Sequence, residues 1–369
     1  MVRVKAAIVK QKSGPFVVEE IRLDDPRDDE ILVHVHATGV CHTDFGVRDQ
    51  NYPVPLPAVL GHEGAGIVEK VGANITKVVP GDPVILTYAS CGRCDNCHQG
   101  LPGFCDDFYA HNLAGCRLDG SSTLSGAAGE KISGCFFGQS SFADRAIVTE
   151  RNVVKVPKDV PLDLMGPLGC GIQTGAGAVI NTLRPRPGAS IAIFGAGAVG
   201  LAAIMAARIV GCSPIIAVDI KDNRLALAEE LGATHVLDGA AVDAVEEIRV
   251  LTDGGALYSL ECTSLPTVFR QAVECLRIPG VCGLIGAAAL GTEVTFEMAS
   301  ILFGRTVRGI MQGDCVPDVF VPQLIDLWRR GVFPFDKLIE FYDFDDINQA
   351  VHASESGAVI KPVIRTGRK

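Results

Sequence analysis

Residues 190–194, Ser-Ile-Ala-Ile-Phe, form a short apolar run that passes directly into Gly195-Ala196-Gly197-Ala198-Val199-Gly200. A run of this length bounded by glycine reads as a buried strand, and the alanine-rich stretch that follows, as far as Val210, reads as a helix. A second apolar run ends in Asp219, nineteen positions beyond Gly200. A G-x-G-x-x-G pattern is weak by itself. Between a strand and a helix, with an acid about twenty residues further on, it constrains the fold strongly. Gly195 permits a tight turn, Gly197 lets backbone amides approach a pyrophosphate, and Gly200 lets strand and helix pack closely. The helix N-terminus then faces two phosphates. A carboxylate at Asp219 would accept hydrogen bonds from ribose hydroxyls and repel a 2′-phosphate, which favours NAD over NADP.

Alternation continues with a helix at 224–231, a strand at 235–237, a helix at 241–251, a strand at 256–260, a helix at 267–276 and a strand at 280–286. This is the pattern of a doubly wound α/β unit with a parallel sheet, expected over 175–311. The N-terminal region reads as strands instead, at 4–9, 16–21 and 31–37, the last with period-two alternation that sets His34 and His36 on one face. A turn and a short helix are expected around 39–44, an irregular connection at the prolines of 53–57, and a strand at 84–86. A chain of 369 residues is too long for one ordinary core. Two domains are expected: 1–174 with 312–369, and 175–311. A last helix at about 317–330 and the tail after it are expected to return to the first.

The formal charge of −10 comes without a block of Lys or Arg, so nucleic acid has no electrostatic footprint to bind. Uncharged stretches at 164–183 and 188–207 are about long enough to cross a bilayer, but the first holds Pro167, Gln173 and Asn181, and the second contains the glycine motif. No membrane span is expected. The residues after Met1 lack an apolar region with a cleavage site. The thirteen cysteines are therefore expected as reduced thiols of a cytoplasmic chain, some of them metal ligands.

Cys91, Cys94, Cys97 and Cys105 lie within fifteen residues of one another on a stretch rich in Gly, Asp and Asn. Four thiolates so placed can close a tetrahedral zinc site with no open position, which marks it as structural, and iron–sulfur clusters use other spacings. His98 reads as a bystander. Other donors are scattered: Cys41 before His42-Thr43-Asp44, His62 in Gly61-His62-Glu63-Gly64-Ala65-Gly66, and Cys170 in Gly166-Pro167-Leu168-Gly169-Cys170-Gly171. Each alone reads as an ordinary core residue. Together, two thiolates and an imidazole would leave a zinc ion one open position. The polar, glycine-rich 116–133 reads as a loop, and Phe136, Phe137 and Phe142 as core or as the wall of an apolar pocket.

Taken together, these motifs resemble the zinc-dependent medium-chain alcohol dehydrogenase family over essentially the whole chain. Gly-His-Glu-Gly-Ala-Gly, Phe137-Gly-Gln-Ser-Ser-Phe142 and Gly166 to Gly175 are similar to the wording of its aryl (benzyl) alcohol dehydrogenases. The resemblance implies an α/β chain with a GroES-like, mainly β catalytic domain and a Rossmann domain, two zinc ions and NAD. It makes Cys41, His62 and Cys170 ligands of the catalytic zinc, with Asp44 and Glu63 behind them and Asp44 orienting His62. Thr43 would receive the substrate proton. Thr174 and Val199 would approach the nicotinamide, His42 and Lys361 the cofactor phosphates, and Arg224 would join Asp219 among the cofactor-binding residues. Phe136 and Phe137 would line the substrate pocket.

The activity implied is reversible oxidation of a primary, benzyl-type alcohol to its aldehyde by a homodimer or homotetramer, with 305–310 as a subunit contact. Many members end the proton relay in a histidine five residues after the first zinc cysteine. Here Gly46 stands there, which leaves water or His42. Rival readings are a glutathione-dependent formaldehyde dehydrogenase, a general primary alcohol dehydrogenase, and a non-catalytic sensor of NAD or zinc. The intact set of Cys41, His62, Cys170 and Thr43 argues against the sensor.

Overall fold

A computed structural model describes residues 1–366, in two compact units. The first comprises Met1–Cys170, Val316–Gln323 and the chain from Leu338 on; the second comprises Gly171–Cys315 and Leu324–Lys337.

The first unit is built on two sheets. One has the order Ala58–Val59, Val2–Val9, Phe16–Leu23, Leu124–Ser125, Lys131–Ile132. The other runs Val153–Lys155, Pro83–Leu86, Gly64–Val71, Glu30–Gly39, Lys361–Arg365, Ile339–Asp343, with Arg145–Thr149 also pairing to Glu30–Gly39. Strand Glu30–Gly39 shows why alternation fixes a sheet's faces. Ile31, Val33 and Val35 enter a core with Val68, Val84, Leu86 and Val148. His34 and His36 face the other way, their ring centroids 5.3 Å apart.

The region 116–133, expected as a loop, contributes two of the short strands and carries a buried arginine. Arg117 donates from Nε and Nη2 to the two carboxylate oxygens of Glu30, at 2.6 and 3.0 Å, and from Nη1 to Asp24 at 2.9 Å. Its partners lie 87 and 93 residues earlier in the chain, where no local pattern points to them.

In the second unit a six-stranded sheet has the order His235–Asp238, Ile215–Asp219, Ile191–Phe194, Ala256–Glu261, Leu276–Leu284, Thr306–Gly309, every neighbouring pair parallel. Counted along the chain this is the order 3-2-1-4-5-6, which reverses direction beside the strand that carries the glycine motif. The crossover helices are Ala198–Ile209, Asp222–Leu231, Ala244–Leu251 and Pro266–Glu274. The third starts at 244 rather than 241 because Asp243 caps it, accepting from Val245 N at 3.0 Å and Glu246 N at 3.2 Å.

The expected block 312–369 is divided, since 324–337 belongs to the second unit, with Leu324, Ile325, Phe333 and Phe335 buried. Helix Pro317–Arg329 runs across the division. An apolar pattern continuous along one helix gives no sign of a change of core. Among the described residues no helix is long and apolar enough to cross a membrane.

Candidate metal and cofactor sites

Cys41 precedes helix His42–Arg48, whose third residue, Asp44, is fully buried. The Asp44 carboxylate accepts from Cys41 N at 2.9 Å and Gly61 N at 3.1 Å, and its Oδ1 lies 3.0 Å from His62 Nδ1. One buried side chain thus ties the start of a helix, the turn at 61 and the imidazole together. With Nδ1–H donating to Asp44, Nε2 carries a lone pair, and Nε2 is buried without a hydrogen-bond partner. An orphaned polar atom in a core is costly unless a ligand satisfies it. Cys41, His62, Glu63 and Cys170 each bring a ligand atom to this point, all within 4.8 Å of one another. Two thiols and an imidazole with an orphaned Nε2 fit a zinc ion.

The electrostatics agree. A hydrogen bond from Cys170 holds the Cys41 thiol well below its usual range, against burial, with the charges of Lys361 and His62 assisting. Burial pulls the His62 imidazole down, but the charges of Asp44 and Cys41 outweigh it and raise its pKa, and the same two negative groups would stabilise a cation bound at Nε2 in place of the proton.

Lys361, expected at the cofactor phosphates, lies elsewhere. Its ammonium is 2.9 Å from both oxygens of Glu63 and 3.0 Å from Val40 O, with both side chains buried. Three partners occupy its three donors. Burial opposes the charge on Lys361, but Glu63 outweighs that and raises its pKa. His42 is exposed, its ring 5.5 Å from that of Phe45.

Phe137 stacks on His62 at 4.6 Å and 27°, and Phe136 meets the same ring edge-on at 5.3 Å. The segment that delivers them is left-handed at Cys135, Phe137 and Ser140, with φ of 59°, 49° and 51°. Thr43 Oγ1 lies 3.9 Å from Cys41 Sγ. A Cβ on Gly46 would sit 3.3 Å from the Tyr52 ring, so that ring covers the position from which a relay histidine would start.

The cysteine-rich lobe is built differently. Its four ligand atoms also lie within 4.8 Å of one another, and Cys91 Sγ is 4.0 Å from Cys97 Sγ, close to the separation of about 3.8 Å that Zn–S bonds of about 2.3 Å impose in a tetrahedron. Backbone amides do much of the local work. Those of Arg93 and Cys94 point at Cys91 Sγ, at 3.4 and 3.3 Å, and the bond from Arg93 is the chief cause that lowers the Cys91 thiol to about 7.

In the second unit, Gly195 has φ +93°, and a Cβ on Gly200 would meet Gly195 O at 1.8 Å, so neither position tolerates a side chain. A Cβ on Gly197 would meet nothing within 4 Å. Gly197 precedes the twelve-residue helix Ala198–Ile209, whose first amides face that open side. These features fit a dinucleotide pyrophosphate. Helix Gly171–Gly177 comes so close that a Cβ on Gly175 would lie 1.9 Å from Val199 O, which sets Thr174 and Val199 on adjoining helices. The Asp219 carboxylate accepts from Ala196 N at 2.7 Å, Ile220 N at 2.8 Å and Lys221 N at 3.1 Å. Arg224 Nη1 is 3.7 Å from it, and Arg224 Nε is buried without a hydrogen-bond partner.

Sequence reasoning missed Lys361 as the partner of Glu63. It also missed Gln139, whose buried amide bonds to the backbone on both sides of Glu63. An isolated glutamine in a loop carries no signal of that kind.

Residues 27–158 match the model of the alcohol dehydrogenase GroES-like domain, and 198–329 that of the zinc-binding dehydrogenase. Geraniol dehydrogenase of Castellaniella defragrans is 48% identical over 363 residues, which covers 98% of this chain and 97% of that enzyme. S-(hydroxymethyl)glutathione dehydrogenase of Paracoccus denitrificans is 35% identical, over 98% of this chain and 99% of its own. The crystal structure of benzyl alcohol dehydrogenase from Acinetobacter calcoaceticus superimposes with a TM-score of 0.96 at 47% identity, covering all of both chains.

Proposed function

Since the chain belongs to the zinc-dependent medium-chain alcohol dehydrogenase family, we propose that its substrate is a primary alcohol of benzyl type, or an allylic analogue with the same π-system beside the carbinol carbon, oxidised to the aldehyde with NAD. The observation that carries this reading is the convergence of Cys41, His62 and Cys170 against the stacked Phe136 and Phe137. Benzyl alcohol and geraniol, which name two of the relatives, are both apolar and share that π-system. An aromatic wall beside the metal ligands suits it.

Bound at these residues, zinc supplies a Lewis acid that brings an alcohol hydroxyl's pKa toward neutrality, and a nicotinamide supplies the hydride acceptor. The chain's own residues do the rest. Asp44 fixes the tautomer and plane of His62. Phe136 and Phe137 keep water from the ligand face. Thr43, beside Cys41, takes the hydroxyl proton. With Gly46 covered by Tyr52, that proton passes on to water or His42. Glycines 195, 197 and 200 and the helix behind them cradle the pyrophosphate, Asp219 selects NAD, Arg224 joins it on the adenosine side, and Thr174 and Val199 border the nicotinamide.

Strand Thr306–Gly309 is an exposed sheet edge beside the exposed Met298, Leu302 and Phe303. Such an edge and patch call for a covering surface, and a second copy of the chain is the proposed one. Thirteen cysteines, none of them in a disulfide, suit a reducing compartment, and the cytoplasm is the proposed one.

A substrate panel tests the reading: benzyl alcohol, geraniol, ethanol, and formaldehyde with glutathione, each with NAD and NADP, alongside zinc analysis. The expected outcome is the highest kcat/KM for the first two, with NAD and with two zinc ions per chain. Preference for formaldehyde with glutathione would overturn the substrate class. A single zinc, held by the four-cysteine lobe, would overturn catalysis at the dispersed site.

A further inference from the structure

The dispersed ligands come from separate stretches, so something must fix His62 relative to Cys170. Asp44 orients the ring of His62 and holds Cys41 N and Gly61 N, which ties two of the ligands together but not the backbone that carries Cys170. The connection runs through side chains with no place in the chemistry. Gln139 is 2% exposed, and its amide is fully used: Nε2 donates to His62 O at 3.0 Å and to Thr87 O at 3.2 Å, while Oε1 accepts from Gly64 N at 3.1 Å. Thr87, also buried, turns its hydroxyl the other way and donates from Oγ1 to Gly169 O at 2.7 Å, the carbonyl directly before Cys170. Asn152 braces the same point: its Nδ2 donates to Thr87 O at 3.2 Å and Phe137 O at 3.1 Å, and Thr87 N donates to Asn152 O at 2.8 Å. The segment before Cys170 lies so close to strand Pro83–Leu86 that a Cβ on Gly169 would meet Leu86 O at 2.0 Å. The Thr87 hydroxyl is therefore delivered at a fixed distance.

We propose that Gln139 and Thr87 are positioning residues that set the separation of His62 from Cys170, and so hold the dispersed site in a geometry that binds zinc tightly. Buried polar networks whose members are all satisfied have one low-energy arrangement, because any displacement strands a donor or acceptor in a low-dielectric interior. The bridge His62 O to Gln139 to Thr87 to Gly169 O is such a network. It gives the loop 135–140 a second duty: the left-handed turns that aim Phe137 at His62 also drop the Gln139 amide between the backbones of His62 and Gly64.

This inference rests on the proposed catalytic zinc, and its test separates the two. Gln139→Met keeps length and apolar volume but removes all three hydrogen bonds; Thr87→Val keeps shape and removes the hydroxyl that bonds Gly169 O. Each full-length variant is purified with zinc, challenged with a chelator, and assayed for metal retained over time. The four-cysteine lobe serves as the internal control. Cobalt-substituted protein gives a d–d absorption spectrum that reads ligand geometry.

In both variants the dispersed site is expected to lose zinc about 10- to 100-fold faster, with an altered cobalt spectrum, while the lobe keeps its metal at the wild-type rate. Unchanged retention and an unchanged cobalt spectrum in Thr87→Val would overturn the proposal, even if Gln139→Met failed to fold. Equal acceleration at both sites would also overturn it, since that is general loosening. If the wild type itself held only one zinc, the catalytic reading would fall instead.

Discussion

The two cysteine clusters bring their ligand atoms within the same 4.8 Å, yet they are assembled by opposite means. The lobe draws all its ligands from fifteen consecutive residues and points backbone amides at Cys91. The dispersed site draws Cys41, His62 and Cys170 from three distant stretches and spends buried side chains on holding them: Asp44 on His62, Lys361 on Glu63, and Gln139 with Thr87 between His62 and Cys170. A site closed by local chain is complete in itself. A site with an open position must have its geometry imposed from outside, because the missing ligand cannot help to set it.

The strongest way to break this contrast is to remove a dispersed ligand. His62→Ala or Cys170→Ala is expected to abolish turnover and halve the zinc content from two per chain to one, with NAD binding retained, as read by metal analysis and cofactor fluorescence titration. Loss of both zinc ions would show that the two sites are not separate.

Next in size is Lys361→Met, which takes its ion-pair partner from the buried Glu63. Removing one partner of a buried ion pair typically costs about 3–5 kcal/mol, so a large drop in denaturation midpoint is expected. The double variant Lys361→Met, Glu63→Gln should recover part of it. A single variant as stable as the wild type would show that Lys361 is not what neutralises Glu63.

Smaller again is Asp44→Asn. Its amide turns a donor toward one of the N–H groups that the carboxylate now accepts, and removes the negative partner that raises the His62 pKa. Zinc retention at the dispersed site and turnover should both fall about 10- to 100-fold, with the lobe unaffected.

What the sequence revealed follows the same division. The lobe was legible from spacing alone, and so was the parallel sheet around Gly195, because both are written in local pattern. Cys41, His62 and Cys170 were legible as residue types in small-residue settings, but their convergence needed the family resemblance. The side chains that impose geometry were not legible. Lys361 finds Glu63 across 298 residues, and Arg117 finds Glu30 across 87. Both pairings exist only once the strands are in register. The role of the glycines around His62 was not legible either: a Cβ on Gly66 would strike His34 O at 2.0 Å, and one on Gly61 would strike Phe142, so these glycines admit neighbouring backbone and side chain.

The smallest expected effect on turnover is the sharpest probe of the contrast. Cys94→Ser takes one thiolate from a lobe that closes its own site, so its zinc should be lost readily, because three thiolates and a weak hydroxyl donor no longer satisfy a tetrahedral ion. If the lobe is self-contained, the damage stays local: the melting temperature falls, since metal-binding free energy in such a segment is folding free energy, while kcat per remaining zinc at the dispersed site is unchanged below the new midpoint. Cobalt placed in the dispersed site should then show the wild-type spectrum. A shifted spectrum, or a kcat that falls in step with lobe zinc, would mean that the lobe also braces the dispersed ligands, and the side chains credited here with that role would be sharing it.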